Sequence, residues 1–165
     1  MKRLLLAALL LPGAALAHEY ALGDITVDHP MIFETPANAP VAGGYMSITN
    51  AGPDDRLVAV RVDPEIAGTM QLHEMTVSDG IMRMSEVEGG IALPSGETVA
   101  LEQGGLHVMF MQLQQRLVDG DEVPATLVFE EAGELEVVFN VETRGARDGE
   151  MDHGGMSHGE HDSDG

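Results

Sequence analysis

Apolar and polar residues alternate with a period of two along most of this chain, in short runs separated by turn residues. The runs lie between Ile25 and Val141, and they end at clusters such as Asn50-Ala51-Gly52-Pro53. Alternation bounded in this way is typical of half-buried β-strands. About eight strands at this spacing favour an all-β fold, either a Greek-key sandwich or a barrel. We expect no more than one turn of helix, near residues 64–68.

The same pattern predicts the core and one loop. The stretch from His29-Pro30 to Pro40 contains three prolines and is expected to be a loop. The apolar residues expected to form the core are Ile25, Val27, Val58, Val60, Leu101, Leu127, Phe129, Val137 and Phe139.

A hairpin is predicted where Asp79-Gly80 separates two alternating runs, Met70 to Val77 and Ile81 to Val87. A two-residue turn there pairs Ser78 with Ile81 and, counting outward, Met75 with Met84. Residues two apart on a strand share a face, so His73 should lie diagonal to Met84.

Four residues carry the candidate chemistry: His73, Met84, His107 and Met109. His107 and Met109 are two apart and share a face if the segment from Leu106 is a strand, so that face needs only to pack against the hairpin. Thioether sulfur and neutral imidazole suit Cu(I) and are poor ligands for Mg²⁺ or Ca²⁺. The chain contains no cysteine, which excludes disulfides, thiol redox chemistry and thiolate copper sites.

Packing is the competing explanation for these residues, because methionine often fills gaps in a protein core. Met75 stays undecided between a ligand and a neighbour of the site. His29, before Pro30, is interpreted as structural. The methionines assigned to packing are Met31, Met46, Met70, Met82 and Met111.

At these residues the chain resembles the PCuAC family of periplasmic copper chaperones. The family pattern is His, ten residues, Met, about twenty-one residues, and then His-x-Met. Here ten residues separate His73 from Met84, and twenty-two separate Met84 from His107-Val108-Met109. The extra residue is placed at Gly89-Gly90. The segments Asp79 to Met84 and Gly43-Gly44-Tyr45-Met46 also resemble the family, whereas Met31-Ile32-Phe33 replaces a Trp-containing run.

The resemblance implies a cupredoxin-like Greek-key β-barrel that binds Cu(I) near the surface through His73, Met84, His107 and Met109. It also implies that copper is delivered for assembly of the CuA centre of cytochrome c oxidase. The recipient would be oxidase subunit II, reached directly or through Sco-type assembly proteins. Such a chaperone is not an enzyme.

The amino terminus has the pattern of a signal peptide. Lys2 and Arg3 precede the apolar run Leu4–Leu11, and Ala15-Leu16-Ala17 provides a small-residue cleavage site. We therefore expect residues 1–17 to be removed, the mature chain to begin at His18, and the protein to be exported to a periplasm. With no cysteine after the signal, a lipid anchor is not expected.

The composition changes after Val141, which separates a copper-binding domain at residues 18–141 from a tail at residues 142–165. The tail has almost no core-forming residues and is predicted to be disordered. Its imidazoles suit Cu(II) and its thioethers suit Cu(I), so it is a second candidate copper site that could load the barrel. Its candidate ligands are Met151, His153, Met156, His158 and His161.

Charge and the termini leave further alternatives open. The 165-residue chain has a net charge of −20, which argues against nucleic-acid binding and favours cations or a basic partner. A copper-sequestering protein would share every candidate ligand with a chaperone. An exposed amino-terminal His18 raises the less favoured hypothesis of a copper oxidase or oxygenase. The remaining alternative is an adhesive β-sandwich with a metal-binding tail.

Overall fold

The all-β fold predicted from the alternation is confirmed in the computed structural model, which describes residues 19–145. No helix occurs within that range. The described residues contain eleven strands in one open sheet. In chain order they are β1 (Glu19–Leu22), β2 (Ile25–Phe33), β3 (Val41–Asn50), β4 (Asp55–Val62), β5 (Ala67–Ser78), β6 (Ile81–Glu86), β7 (Ile91–Leu93), β8 (Thr98–Leu101), β9 (Leu106–Leu113), β10 (Glu122–Phe129) and β11 (Glu134–Glu142).

The sheet runs in the order β6-β5-β9-β3-β2-β11-β10-β4-β7, with β1 paired to β2 and β8 paired to β3. All neighbours are antiparallel except β2 and β11. One apolar cluster draws on strands from both ends of this order, including Leu72 of β5 and Leu57 of β4. The sheet therefore curls around a single core, in which the rings of Phe110 and Phe139 meet edge to face at 5.4 Å between centroids.

The predicted core is correct except at Val58, which is 39% exposed. In β4, Leu57 pairs with Phe129 while Ala59 pairs with Val128, so Val58 is the extra residue of a β-bulge. A bulge reverses the alternation of faces, and it places both Leu57 and Val60 in the core and Val58 outside.

The loop predicted to begin at His29-Pro30 was wrong at its start. The strand β2 continues to Phe33, and its register shifts between Asp28 and Met31. His29 has a φ of 50° in this bulge, where a proline removes no ladder hydrogen bond. His29 Nε2 lies 2.9 Å from Glu142 Oε1 of β11. Where one turn of helix was expected near residues 64–68, residues 64–66 form a turn and β5 begins at Ala67.

Candidate metal centre

Strands β5 and β9 place two histidines side by side. His73 and His107 are direct partners in the antiparallel register, and their ring centroids lie 5.9 Å apart. Their chain neighbours Leu72 and Val108 are buried core residues, so alternation turns both imidazoles to the opposite face of the sheet. His107 is only 4% exposed, and His73 is half-buried.

The hydrogen bond of His107 leaves one ring nitrogen free. Its Nδ1 lies 2.9 Å from the carbonyl oxygen of Gly105, which can only accept, so Nδ1–H is the donor. In the neutral ring the lone pair is then on Nε2. A histidine whose second nitrogen is held by a carbonyl is the usual arrangement of a metal ligand.

His73 is held by side chains that sequence reasoning missed. Its Nε2 lies 2.9 Å from Gln71 Oε1, and Gln71 Nε2 donates to Glu86 Oε2 at 3.0 Å. The predicted hairpin register would have placed Glu86 opposite His73, but no sequence pattern indicated that the Gln71 amide bridges the two side chains. His73 Nδ1 is buried and has no hydrogen-bond partner among residues 19–145.

The methionines lie beside these histidines. Met75 and Met84 are direct partners across the β5–β6 hairpin, as predicted, and Met84 is 47% exposed. Met109 stands between Gln71 on β5 and Gly43 on β3. One pocket is lined by Met75, Met84, Met109 and His107, whereas His73 is not among its lining residues and lies beside His107.

Further residues that the sequence did not single out line the same pocket. The ring of Tyr45 lies 6.4 Å from that of His107 and 5.6 Å from that of Phe33, between centroids. The guanidinium of Arg144 lies 5.4 Å from the Phe33 centroid. Met82, which was assigned to packing, also lines the pocket and is exposed. Spacing alone hides Phe33, Tyr45 and Arg144 because they come from separated parts of the chain, whereas Met82 lies two residues from Met84 on β6.

The electrostatics of the site favour a neutral imidazole. Partial burial, and next the neighbouring His107, lower the pKa of His73 below its ordinary value of 6.5, while Glu86 acts in the opposite direction. A neutral imidazole is the form that binds metal ions. Among residues 19–145 no three His, Cys, Asp or Glu side chains are grouped to hold a metal ion.

Several sequence predictions fall outside the described residues. These are the signal peptide at residues 1–17, the amino-terminal His18, and the tail ligands Met151, His153, Met156, His158 and His161. Within residues 19–145, no helix is long and apolar enough to cross a membrane.

Comparison with known proteins defines the class and then the family. A "Copper-bound PCuAC domain from PmoF2" has 29% sequence identity and a TM-score of 0.64, and the likeness covers 76% of this chain and 98% of that domain. The "Solution structure of CuI-DR1885 from Deinococcus Radiodurans" has 25% identity and a TM-score of 0.59, covering 81% and 86% of the two chains. The structure is therefore similar to PCuAC copper-binding domains.

The sequence matches the family model described as "Putative lipoprotein LpqE-like" over residues 25–141. This chain belongs to the LpqE-like family. A curated relative, "Putative lipoprotein Lxx21020" of Leifsonia xyli subsp. xyli, is 30% identical over 105 residues. That match covers 64% of this chain and 63% of the relative's length.

Proposed function

We propose that this protein is an exported copper chaperone that binds Cu(I) with His73, Met84, His107 and Met109. The observation that carries the proposal is the placement of these residues on three neighbouring strands. The two histidines are direct cross-strand partners, and Met84 and Met109 line one pocket with His107. The similarity to a copper-bound PCuAC domain supports the same conclusion.

The donor set fits Cu(I) and disfavours other ions. Soft thioethers with neutral imidazoles match the preference of Cu(I), and the chain has no thiolate that would bind it more tightly. Each of these two histidines has one ring nitrogen that its hydrogen bond leaves free. Met75 faces Met84 and is a further sulfur that could replace or assist it.

Two features of the site support the delivery of copper to another protein: the exposure of Met84, and the weaker binding of Cu(I) by thioethers than by thiolates. Met84 is half-exposed on the edge strand β6, so an acceptor can approach the ligands without unfolding the domain. Cysteine thiolates bind Cu(I) more tightly than thioethers do, so copper would move downhill to a thiol-bearing acceptor. We propose Sco-type assembly proteins and subunit II of cytochrome c oxidase as the acceptors, with the CuA centre as the destination.

A transfer assay tests the chaperone function. The Cu(I)-loaded protein is mixed with a reduced, copper-free Sco-type protein, the two are separated by anion exchange, and copper is measured in each. We expect most of the copper on the thiol protein. Copper that stays on the present chain would instead support the second candidate, a copper-sequestering protein of the periplasm.

The carboxyl-terminal segment is proposed as an additional copper site. Arg144 lines the same pocket as His107 and Met109, so the chain leaves the described region beside the candidate site. We propose that residues 142–165 capture copper, including Cu(II), and pass it to the domain at residues 18–141, after removal of residues 1–17. Deletion of the residues after Gly149 should slow loading of the domain from dilute Cu(II) with a reductant. Unchanged loading would exclude the transfer role.

A further inference from the structure

The hydrogen bonds around His73 form a chain with a fixed direction. Glu86 is a carboxylate and can only accept, so the Gln71 amide must turn its NH2 group toward Glu86 Oε2. The amide oxygen of Gln71 then faces His73 Nε2 at 2.9 Å. An amide oxygen also only accepts, so the proton of the neutral His73 ring must be on Nε2.

The consequence is a lone pair on His73 Nδ1. This atom is buried, and it has no partner within the described part of the chain. An unpaired buried nitrogen costs free energy unless a ligand satisfies it. His107 has the opposite tautomer, because its Nδ1–H donates to the Gly105 carbonyl and the lone pair is on Nε2.

We propose that Gln71 and Glu86 are positioning residues that fix the tautomer of His73, so that His73 binds Cu(I) through Nδ1 while His107 binds through Nε2. This inference rests on the proposed function and deepens it. Glu86 and Gln71 do not touch the copper. They determine which nitrogen of His73 is presented to it, and they tie the edge strand β6 to β5 at the site.

The proposal is tested by reversing the direction of the hydrogen bonds that run from His73 through Gln71 to residue 86. In Glu86→Lys the side chain can only donate, so Gln71 would turn its oxygen toward residue 86 and its NH2 toward His73 Nε2. The His73 proton would then move to Nδ1 and block the lone pair. Glu88→Lys is the matched control, because Glu88 is exposed and makes the same change of charge two residues away.

The readout is the tautomer of the copper-free protein, from long-range ¹H–¹⁵N spectra of the ¹⁵N-labelled full chain at pH 8. A His73→Gln variant assigns the resonances of His73 among the seven histidines. We expect Nε2–H in the wild type and in Glu88→Lys, and Nδ1–H in Glu86→Lys. Cu(I) affinity should fall about 10–100-fold in Glu86→Lys, as for other residues that orient a metal ligand. It should change by less than about threefold in Glu88→Lys, since salt screens an exposed charge.

Spectra of the Cu(I)-loaded wild type provide a second test that needs no variant. We expect His73 to keep the Nε2 proton and His107 to keep the Nδ1 proton. Coordination of His73 through Nε2, or wild-type tautomer and affinity in Glu86→Lys, would overturn the proposal while leaving copper binding intact. Absence of Cu(I) binding by the wild type would overturn the proposed function, and with it the ligand assignment.

Discussion

His73 and His107 are direct cross-strand partners on β5 and β9, with their ring centroids 5.9 Å apart on the face of the sheet opposite the core. The main-chain ladder between two strands fixes this pairing, so the imidazoles are held together before any metal arrives. Prearranged ligands lose little conformational entropy on binding. The site therefore depends on sheet register as much as on the identity of its side chains.

The methionines provide the first prediction. Met84→Leu should lower Cu(I) affinity at least about tenfold, since loss of a ligand costs no less than loss of a residue that orients one. Met75→Leu should have a smaller effect if the four-ligand set is complete. Leucine conserves the volume of methionine, so both variants should fold.

Met82→Leu is the control for these variants, because Met82 lines the same pocket without being a proposed ligand. Competition against a Cu(I) chelator measures all three affinities. An effect of Met82→Leu as large as that of Met84→Leu would mean that the methionines act as a general apolar lining and do not bind copper.

The lowered pKa of His73 gives a pH prediction. A proton on His73 is disfavoured in the folded state, so the unfolded chain takes it up first as the pH falls below 6.5. Stability should be unaffected by this group at higher pH and should decrease as the pH falls from 6.5 through the folded pKa.

NMR titration of the copper-free protein should find the His73 midpoint below 6.5. Urea unfolding at two pH values should show a smaller pH dependence in His73→Gln than in the wild type. A His73 midpoint above its ordinary value would contradict the description of a partly buried ring beside a second histidine.

Gly44, on β3, provides a prediction about the stability of the fold. A Cβ at this residue of β3 would lie 2.6 Å from Phe110 Cε2 and 3.1 Å from Phe139 Cε1. Both rings are fully buried, so Gly44→Ala should destabilise the fold by about 1–3 kcal/mol, as overpacking of cores usually does.

Gly105→Ala serves as the comparison for Gly44→Ala in urea unfolding, because the atom nearest to its added Cβ is 3.8 Å away. We expect its free energy of unfolding to stay close to that of the wild type. Equal losses in the two variants would show that the contact with Phe110 is not the cause.

Local patterns predicted the hairpin that carries two of the candidate ligands. Asp79 and Gly80 have φ values of 54° and 74°, which is the conformation that a two-residue turn of this kind requires. The turn fixes the register, so the pairing of Met75 with Met84 follows from the sequence alone and is confirmed. The alternation of faces then places His73 on the side of Met75.

Long-range features could not be predicted in the same way. The sequence suggested that the segment from Leu106 packs against the hairpin, whereas β9 joins the same sheet and hydrogen-bonds to β5. Nothing in the local pattern selects that partner strand. The bulge at Val58 was missed because its cause is a shift of register against β10, which is distant in the chain.

The most direct test is a Cu(I) titration of residues 18–165, the proposed mature chain, against a competing chelator. A form that ends at Gly149 and the double variant His107→Ala/Met109→Ala are titrated beside it. We predict one tight site that survives removal of the tail and is lost in the double variant. Copper binding that disappears with the tail and is unchanged in the double variant would contradict the account, because the histidines and methionines of the domain would then serve only packing.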